Sequence, residues 1–329
     1  MFDRRFASVP MPAFIRLASL CLFVASAAHS GQGSDADSAR QDVVAACKAH
    51  ALQVEKKLDS MAKAPKGVFS DADLDAYRYR LAMLRHDLAM YQQEQDEQVR
   101  QIQVAVDLWE QIRDRVQKMV ATGAMSRFHL ETVEYQLACF RASHAVLKGQ
   151  KREAIEQYGI IIEASEKQLA DVRKRFQSMA VAEREVIAEQ RRGTFARHIK
   201  SLLEGDSPAA IRHLRQVIEL DTKERDRIAR LRQSGAASEY EGLVARDRLS
   251  RTRCLLAQLE EDMTATIQEL ETQVKLQEKL FEITTAGRVS DLQLASAKHL
   301  LAHARDRLAS GREGLSRIVK DHPIWELWR

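Results

Sequence analysis

Apolar residues recur at alternating steps of three and four along four stretches of the chain. Each stretch follows a serine, and the apolar positions fall at offsets 4, 7, 11, 14 and 18 from that serine. Such spacing places the side chains on one face of an α-helix, as in a coiled-coil seam. The serines are Ser70, Ser126, Ser238 and Ser290. The pattern therefore predicts an amphipathic helix after each of these serines.

The four stretches also match one another at single columns. Offsets 11, 15 and 19 hold Leu, Arg and Ala in every copy. The leucines are Leu81, Leu137, Leu249 and Leu301; the arginines are Arg85, Arg141, Arg253 and Arg305; the alanines are Ala89, Ala145, Ala257 and Ala309. We interpret the stretches as copies of one repeat. A degenerate copy is expected near residue 179, without the glycine and its turn.

A glycine stands three residues before each serine. Glycine is preferred where a helix ends in a left-handed conformation, and serine is preferred as the N-cap of the next helix. The glycines, Gly67, Gly123, Gly235 and Gly287, are 56, 112 and 52 residues apart. The chain is therefore expected to run up one helix and down the next, with these turns at one end. The opposite turns are expected at residues 147–153 and 203–210.

Composition favours helices throughout the chain. Five prolines and thirteen glycines interrupt 329 residues, and 30% of the residues are charged. No run of alternating apolar and polar residues between turn signals predicts a strand. We predict an all-α fold of antiparallel long-helix hairpins, eight to ten helices in all, with coiled-coil packing and internal repetition.

The first 27 residues are predicted to be a signal peptide. Arginines precede the apolar run at residues 17–28, which ends in small residues. Twelve apolar residues are too few for a membrane span, which needs about 20. We expect export to the periplasm, a flexible segment at 28–45, a repeated helical-hairpin domain at 46–320 and a C-terminal tail at 321–329.

Charge and side-chain chemistry exclude several function classes. The mature chain is nearly neutral, which argues against nucleic-acid binding. His299 and His303 have a spacing that can bind metal, but no nearby carboxylate completes a ligand set. No nucleophile elbow, phosphate-binding glycine loop or catalytic carboxylate pair is recognisable, so no enzyme activity, metal or cofactor is predicted. Cys139 and Cys254 either form a disulfide or, with Cys47, remain buried free thiols.

The turns carry a further pattern upstream of their glycines. An Arg is followed by Met or Leu four residues later and by Ser seven residues after that, and a conservative variant begins with Lys. The three sets are Arg115, Met119, Gly123 and Ser126; Arg227, Leu231, Gly235 and Ser238; Lys279, Ile283, Gly287 and Ser290. This motif resembles the hairpin tips of periplasmic adaptor (membrane fusion) proteins and the helical hairpins of TolC-like outer-membrane channels.

The resemblance implies a periplasmic component of an efflux or secretion assembly. Such a component acts through contacts between helical hairpins, and the three sets of tip residues would dock a protein partner or a second copy of the chain. Association with the outer membrane is compatible with this role. Two alternatives stay open: a periplasmic scaffold or chaperone-like coiled-coil protein without a transport role, and turns in which Gly and Ser only build the bend.

Overall fold

The structure is a computed structural model that describes residues 35–313, except 66, 180 and 288. Within this part of the chain there are ten α-helices and no strand. They are α1 (Asp35–Ala62), α2 (Asp71–Tyr91), α3 (Gln95–Ala121), α4 (Arg127–Leu147), α5 (Lys151–Gln177), α6 (Glu183–Glu204), α7 (Ser207–Gln233), α8 (Glu239–Leu259), α9 (Met263–Ala286) and α10 (Asp291–Arg312). The predicted all-α fold class is confirmed.

Each helix packs against the next helix in the chain, and α10 packs against α1. The first and the last described helices are therefore neighbours, and every helix packs against two others. One apolar cluster joins α1 to α4 and contains Ile102 and Phe140. A second cluster extends from α4 to α8 and contains Phe195 and Leu214. Burial of these apolar faces is the main force that holds the helices together.

The helices α2, α4, α6 and α8 bury a larger share of their residues than any odd-numbered helix. The helix α2 buries eleven of its 21 residues, whereas α1 buries seven of its 28. Side chains of successive even-numbered helices also meet: the Tyr79 and Phe140 rings are 5.4 Å apart, and the Arg192 guanidinium lies over the Tyr135 ring. The even-numbered helices therefore form the inner side of the arrangement.

Most of the predicted helix ends are confirmed. Gly123 and Gly235 have φ of 72° and 74°, which is the left-handed conformation expected at the end of a helix. The side chains of Ser70, Ser238 and Ser290 each cap the following helix in a capping box. At the opposite end, residues 148–150 and 205–206 form the predicted turns.

Three details differ from the predictions for the turns. Gly287 is extended, with φ −80° and ψ 160°, because α9 ends with one capping bond to Ile283 and no left-handed turn. Ser126 occupies the N-cap, but its hydroxyl contacts the His129 ring and not a backbone amide. The expectation that the degenerate copy lacks a turn is wrong, because Met179 takes φ 57° between α5 and α6.

The N-terminal boundary also differs from the prediction. Residues 35–45, expected to be flexible, form the first turns of α1, and Val43 is fully buried there. The predicted signal peptide, residues 28–34 and the C-terminal tail lie outside the described residues. Among the described residues, Cys47, Cys139 and Cys254 form no disulfide with one another, and Cys139 is only partly buried. Among the described helices, none has the length and apolar character needed to cross a membrane.

Candidate functional site: the tip turns

Five connections follow the odd-numbered helices, and we call them the tip turns: residues 63–70, 122–126, 178–182, 234–238 and 287–290. Arg115, near the end of α3, forms an ion pair with Asp75, near the start of α2. This contact brings the second tip turn beside the first. A hydrogen bond to Glu163 raises the pKa of Lys167 in α5, and the charge of Glu131, near the start of α4, adds to this effect. The third tip turn therefore lies beside the second.

The remaining tip turns lie at the same end. The hydrogen bonds that Arg227 of α7 donates to Glu224 raise the pKa of Arg227, and the nearby charge of Glu183, the first residue of α6, adds to this effect. Leu243 of α8 packs against Leu280 of α9. Leu292 of α10 belongs to the cluster that contains Val54 and Cys47 of α1. We call this common end the tip pole.

The two predicted docking arginines make contacts within the chain. Arg115 pairs with Asp75, whose carboxylate is buried. Arg227 makes two hydrogen bonds to Glu224, of 2.7 and 2.8 Å, and its side chain is 17% exposed. Both guanidinium groups therefore help to order the ends of their helices. Sequence reasoning missed Asp75 and Glu224 because the Arg spacing alone does not identify a partner.

The other predicted tip residues divide between turn geometry and packing. The carbonyls of Met119 and Leu231 accept the amides of Ala124 and Ala236, which closes the Schellman motif at each glycine. Ile283 packs beside Leu243 of α8, Leu276 and Leu280. The exposed members of the sets are Gly123, Ser126, Gly235, Ser238, Lys279, Gly287 and Ser290.

The tip pole also exposes large apolar side chains. Met179 is 92% exposed, Val68 is 58% exposed, and Phe176 and Tyr240 are about two-fifths exposed. All four lie within a few residues of a tip turn. Sequence reasoning missed them, although an apolar residue at 179 stands 56 residues from both Gly123 and Gly235. Leu52, Val104, Ile160 and Met263 are exposed elsewhere on the described surface, so the near-complete exposure of Met179 is what distinguishes the tip pole.

The arginines at offset 15 from the four serines make contacts between helices. These side chains pair with glutamates on neighbouring helices, at 2.9 Å for Arg85 and Glu55 and 2.7 Å for Arg141 and Glu110. Arg305 pairs with Glu278 at 2.9 Å, and Arg253 approaches Glu269 at 4.0 Å. Exposed pairs of this kind contribute at most about 1 kcal/mol each.

His299 and His303 are buried where α10 meets α1 and α2. The Tyr91 hydroxyl lies 2.5 Å from Nδ1 of His303, and the His299 ring meets the His50 ring edge to face at 5.8 Å. In the part of the chain that the structure describes, no group of three or more His, Cys, Asp or Glu side chains is arranged to hold a metal ion. These histidines contribute to packing between three helices.

Comparison with known proteins assigns the chain to no family. No protein-family model matches the chain, and no curated protein matches it.

Proposed function

We propose that the chain consists of five copies of one antiparallel helical hairpin and that it binds a protein partner through the tip pole. The repeat is supported by the helix bounds. The starts of α3, α5, α7 and α9 are 56 residues apart, at residues 95, 151, 207 and 263. Helices of about 25 residues joined by connections of two to eight residues can pack together only when they run in opposite directions.

Exposure at the tip pole is the observation that supports docking. The half-exposed Val68 and the almost fully exposed Met179 lie in two different tip turns of the same end. When a partner covers exposed apolar side chains, the free energy of binding becomes more favourable by about 25 cal/mol for each Å² of apolar surface buried. A partner that contacts several tip turns at once buries apolar surface at each of them and binds more tightly.

The partner class follows from the tip motif. The sets around Arg115 and Arg227 resemble those of periplasmic adaptor proteins, so we propose an exported protein of the periplasm that meets the helical hairpins of a TolC-like efflux or secretion channel. Outer-membrane association would follow from that contact. Neither a cofactor nor a catalytic reaction forms part of this proposal.

A periplasmic scaffold without a transport role is the second candidate. It is favoured by the contact between α1 and α10, which completes the helical arrangement without another chain. A closed monomer of this kind could carry client proteins at the tip pole. The two candidates therefore share the binding surface and differ in the partner.

Site-specific photo-crosslinking distinguishes the tip pole from the rest of the surface. A photoreactive amino acid at Met179 is expected to crosslink to a purified TolC-like channel from the same organism. The matched control is Met263, which is 38% exposed at the start of α9, at the other end of the helices. Crosslinking from Met179 alone supports the proposal.

Two variants test whether the apolar side chains drive the contact. Met179→Lys and Val68→Lys are each expected to weaken binding to the channel about tenfold, whereas Met263→Lys leaves binding unchanged. Equal crosslinking from Met179 and Met263, or no crosslinking to the channel, would contradict the proposal that the partner is a TolC-like channel. Binding of a soluble client at Met179 in place of the channel would favour the scaffold. Arg115 and Arg227 are unsuitable targets because their substitution breaks intramolecular ion pairs.

A further inference from the structure

The third tip turn contains a side chain that the turn itself does not require. Met179 has φ 57° and stands 56 residues from both Gly123 and Gly235, which take the same left-handed conformation. Backbone hydrogen bonds close the turn, since the Met179 amide donates to the Phe176 carbonyl at 2.9 Å. A glycine would make the same bond without the steric strain that a Cβ brings in this conformation.

The Met179 side chain also contributes little to the packing of the chain. It is 92% exposed, whereas Met61, Met83 and Met90 are at most 4% exposed. Met263, at the other end of the helices, is 38% exposed. Met179 is therefore the most accessible thioether in the described part of the chain.

Strain and exposure together point to a role of Met179 outside the fold. Gln93 and Glu261 are the other residues with a side chain and positive φ in the part of the chain that the structure describes. Both are polar and exposed, so water solvates them. Met179 combines the same strained backbone with an apolar side chain in water. Backbone strain that brings no contact within the fold is typical of positions with a function.

The chemistry of an exposed thioether is oxidation. A peroxide transfers one oxygen atom to the sulfur: the O–O bond breaks, an S–O bond forms, the sulfur loses two electrons to the peroxide, and water leaves. The product, methionine sulfoxide, is polar, and methionine sulfoxide reductases return it to the thioether. Oxidation therefore converts an apolar contact residue into a polar one.

The described cysteines compete poorly with Met179 for a peroxide. Cys47 and Cys254 are fully buried. Burial raises the pKa of Cys139 to about 12, so its thiol is almost entirely protonated near neutral pH. The thiolate is the reactive form of cysteine, and these three side chains therefore react slowly in the folded chain.

We propose that Met179 is the site at which peroxides modify this chain, and that its oxidation releases the partner from the tip pole. The release rests on the proposed docking function, whereas the site of modification does not. A bound partner would cover Met179 and protect it. The free chain would be oxidised and would then lose the most exposed apolar side chain of its binding surface.

Mass spectrometry of the purified chain after graded treatment with hydrogen peroxide tests the site of modification. We expect Met179 to form sulfoxide at least about twofold faster than Met263 and about tenfold faster than Met83, because oxidation follows the exposure of the sulfur. Methionine sulfoxide reductase with dithiothreitol is expected to restore the Met179 thioether. Oxidation of Met83 or Met263 as fast as that of Met179 would overturn the site, whether or not the chain binds a channel.

Binding to the TolC-like channel, measured after the peroxide has been removed, tests the release. The oxidised chain is expected to bind about tenfold more weakly, and the reductase is expected to restore binding. Met179→Leu keeps an apolar side chain without sulfur, so this variant is expected to bind like the unmodified chain before and after peroxide. Met263→Leu is the matched control and is expected to stay sensitive to peroxide.

Two results would refute the release. If peroxide weakens binding by the Met179→Leu variant as much as binding by the parent chain, the sensitive residue lies elsewhere. An unmodified chain that binds no channel would contradict both the docking function and the release. Mass spectrometry would still decide whether Met179 is the preferred site of oxidation, because that measurement needs no partner.

Discussion

At the scale of single residues, left-handed backbone conformations recur with the period of the repeat. Positive φ occurs at residues 67, 123, 179 and 235, and at 93, 149, 205 and 261. Within each series the spacing is 56 residues. Five of these positions are glycine, but Gln93, Met179 and Glu261 have side chains. A non-glycine residue in this conformation costs about 1–2 kcal/mol because its Cβ approaches the following carbonyl oxygen.

Gln93→Gly is therefore expected to stabilise the protein by about 1 kcal/mol. Gln93 is exposed at the end of α2, with φ 61°, so no packing is lost. The matched control is Gln92→Gly, one residue earlier, where φ is −86° and glycine brings no relief of strain. Urea denaturation followed by circular dichroism measures both variants. A variant Gln93→Gly that is no more stable than Gln92→Gly would show that strain is absent at this position.

At the scale of secondary-structure elements, one buried carboxylate joins three successive helices. Asp221 of α7 is 2% exposed. It accepts a 2.7 Å hydrogen bond from Arg191 Nε of α6 and a 2.6 Å hydrogen bond from the Thr252 hydroxyl of α8. These hydrogen bonds connect α6, α7 and α8 through one carboxylate, and they can form only when the three helices pack in this arrangement.

Asp221→Ala is expected to destabilise the protein by about 3–5 kcal/mol, because it removes the buried carboxylate that accepts hydrogen bonds from Arg191 and Thr252. Asp226→Ala on the same helix is the control. Asp226 pairs with Arg225 at 2.6 Å, but its side chain is half exposed, so the expected loss is below about 1 kcal/mol. The free energies of unfolding in urea give the comparison. Similar losses for the two variants would mean that Asp221 contributes no more than a surface charge.

At the scale of the whole molecule, the first described helix, α1, packs against the last one, α10. The amide of Ala36 donates to Oε1 of Glu313 at 3.1 Å, so the two ends of the described chain meet. The interface also buries Val43, His299 and Leu301. Closure gives every helix two neighbours and leaves no end helix with an uncovered apolar face.

A circular permutant is therefore expected to fold. Joining Glu313 to Asp35 with a short Gly-Ser linker and opening the chain after Gly149 preserves all ten helix contacts. We expect native helicity and a single unfolding transition by circular dichroism. A chain that stops at Gly287, and so lacks α10, is the comparison; it exposes the α1 face and is expected to unfold at lower temperature or to dimerise. If the permutant does not fold while the truncated chain does, the contact between α1 and α10 is unimportant for stability.

Much of this architecture could be predicted from local sequence signals. The apolar spacing after Ser70, Ser126, Ser238 and Ser290 identified helices, and Gly123 and Gly235 identified their ends. These features depend on interactions within a few residues of the backbone, which the sequence displays directly. The ion pairs of the arginines at offset 15 are not local in this sense, because Arg85 pairs with Glu55 and Arg141 with Glu110 on the neighbouring helix.

The partners of individual side chains were decided by the tertiary structure. Arg115 was predicted to be a docking residue, but the packing of α3 on α2 places the Asp75 carboxylate beside it. The exposure of Met179 likewise depends on a left-handed turn that was not predicted, because the sequence has no glycine at that position.

Sequence periodicity by itself therefore determined which segments are helical and where most of them end, because propensity, capping and amphipathic spacing act locally. Only the tertiary structure decided that α10 meets α1, that Asp221 joins three helices and that α5 approaches α6 closely at Gly193. These features arise between residues distant in the chain, where burial and close packing select partners that no local pattern specifies.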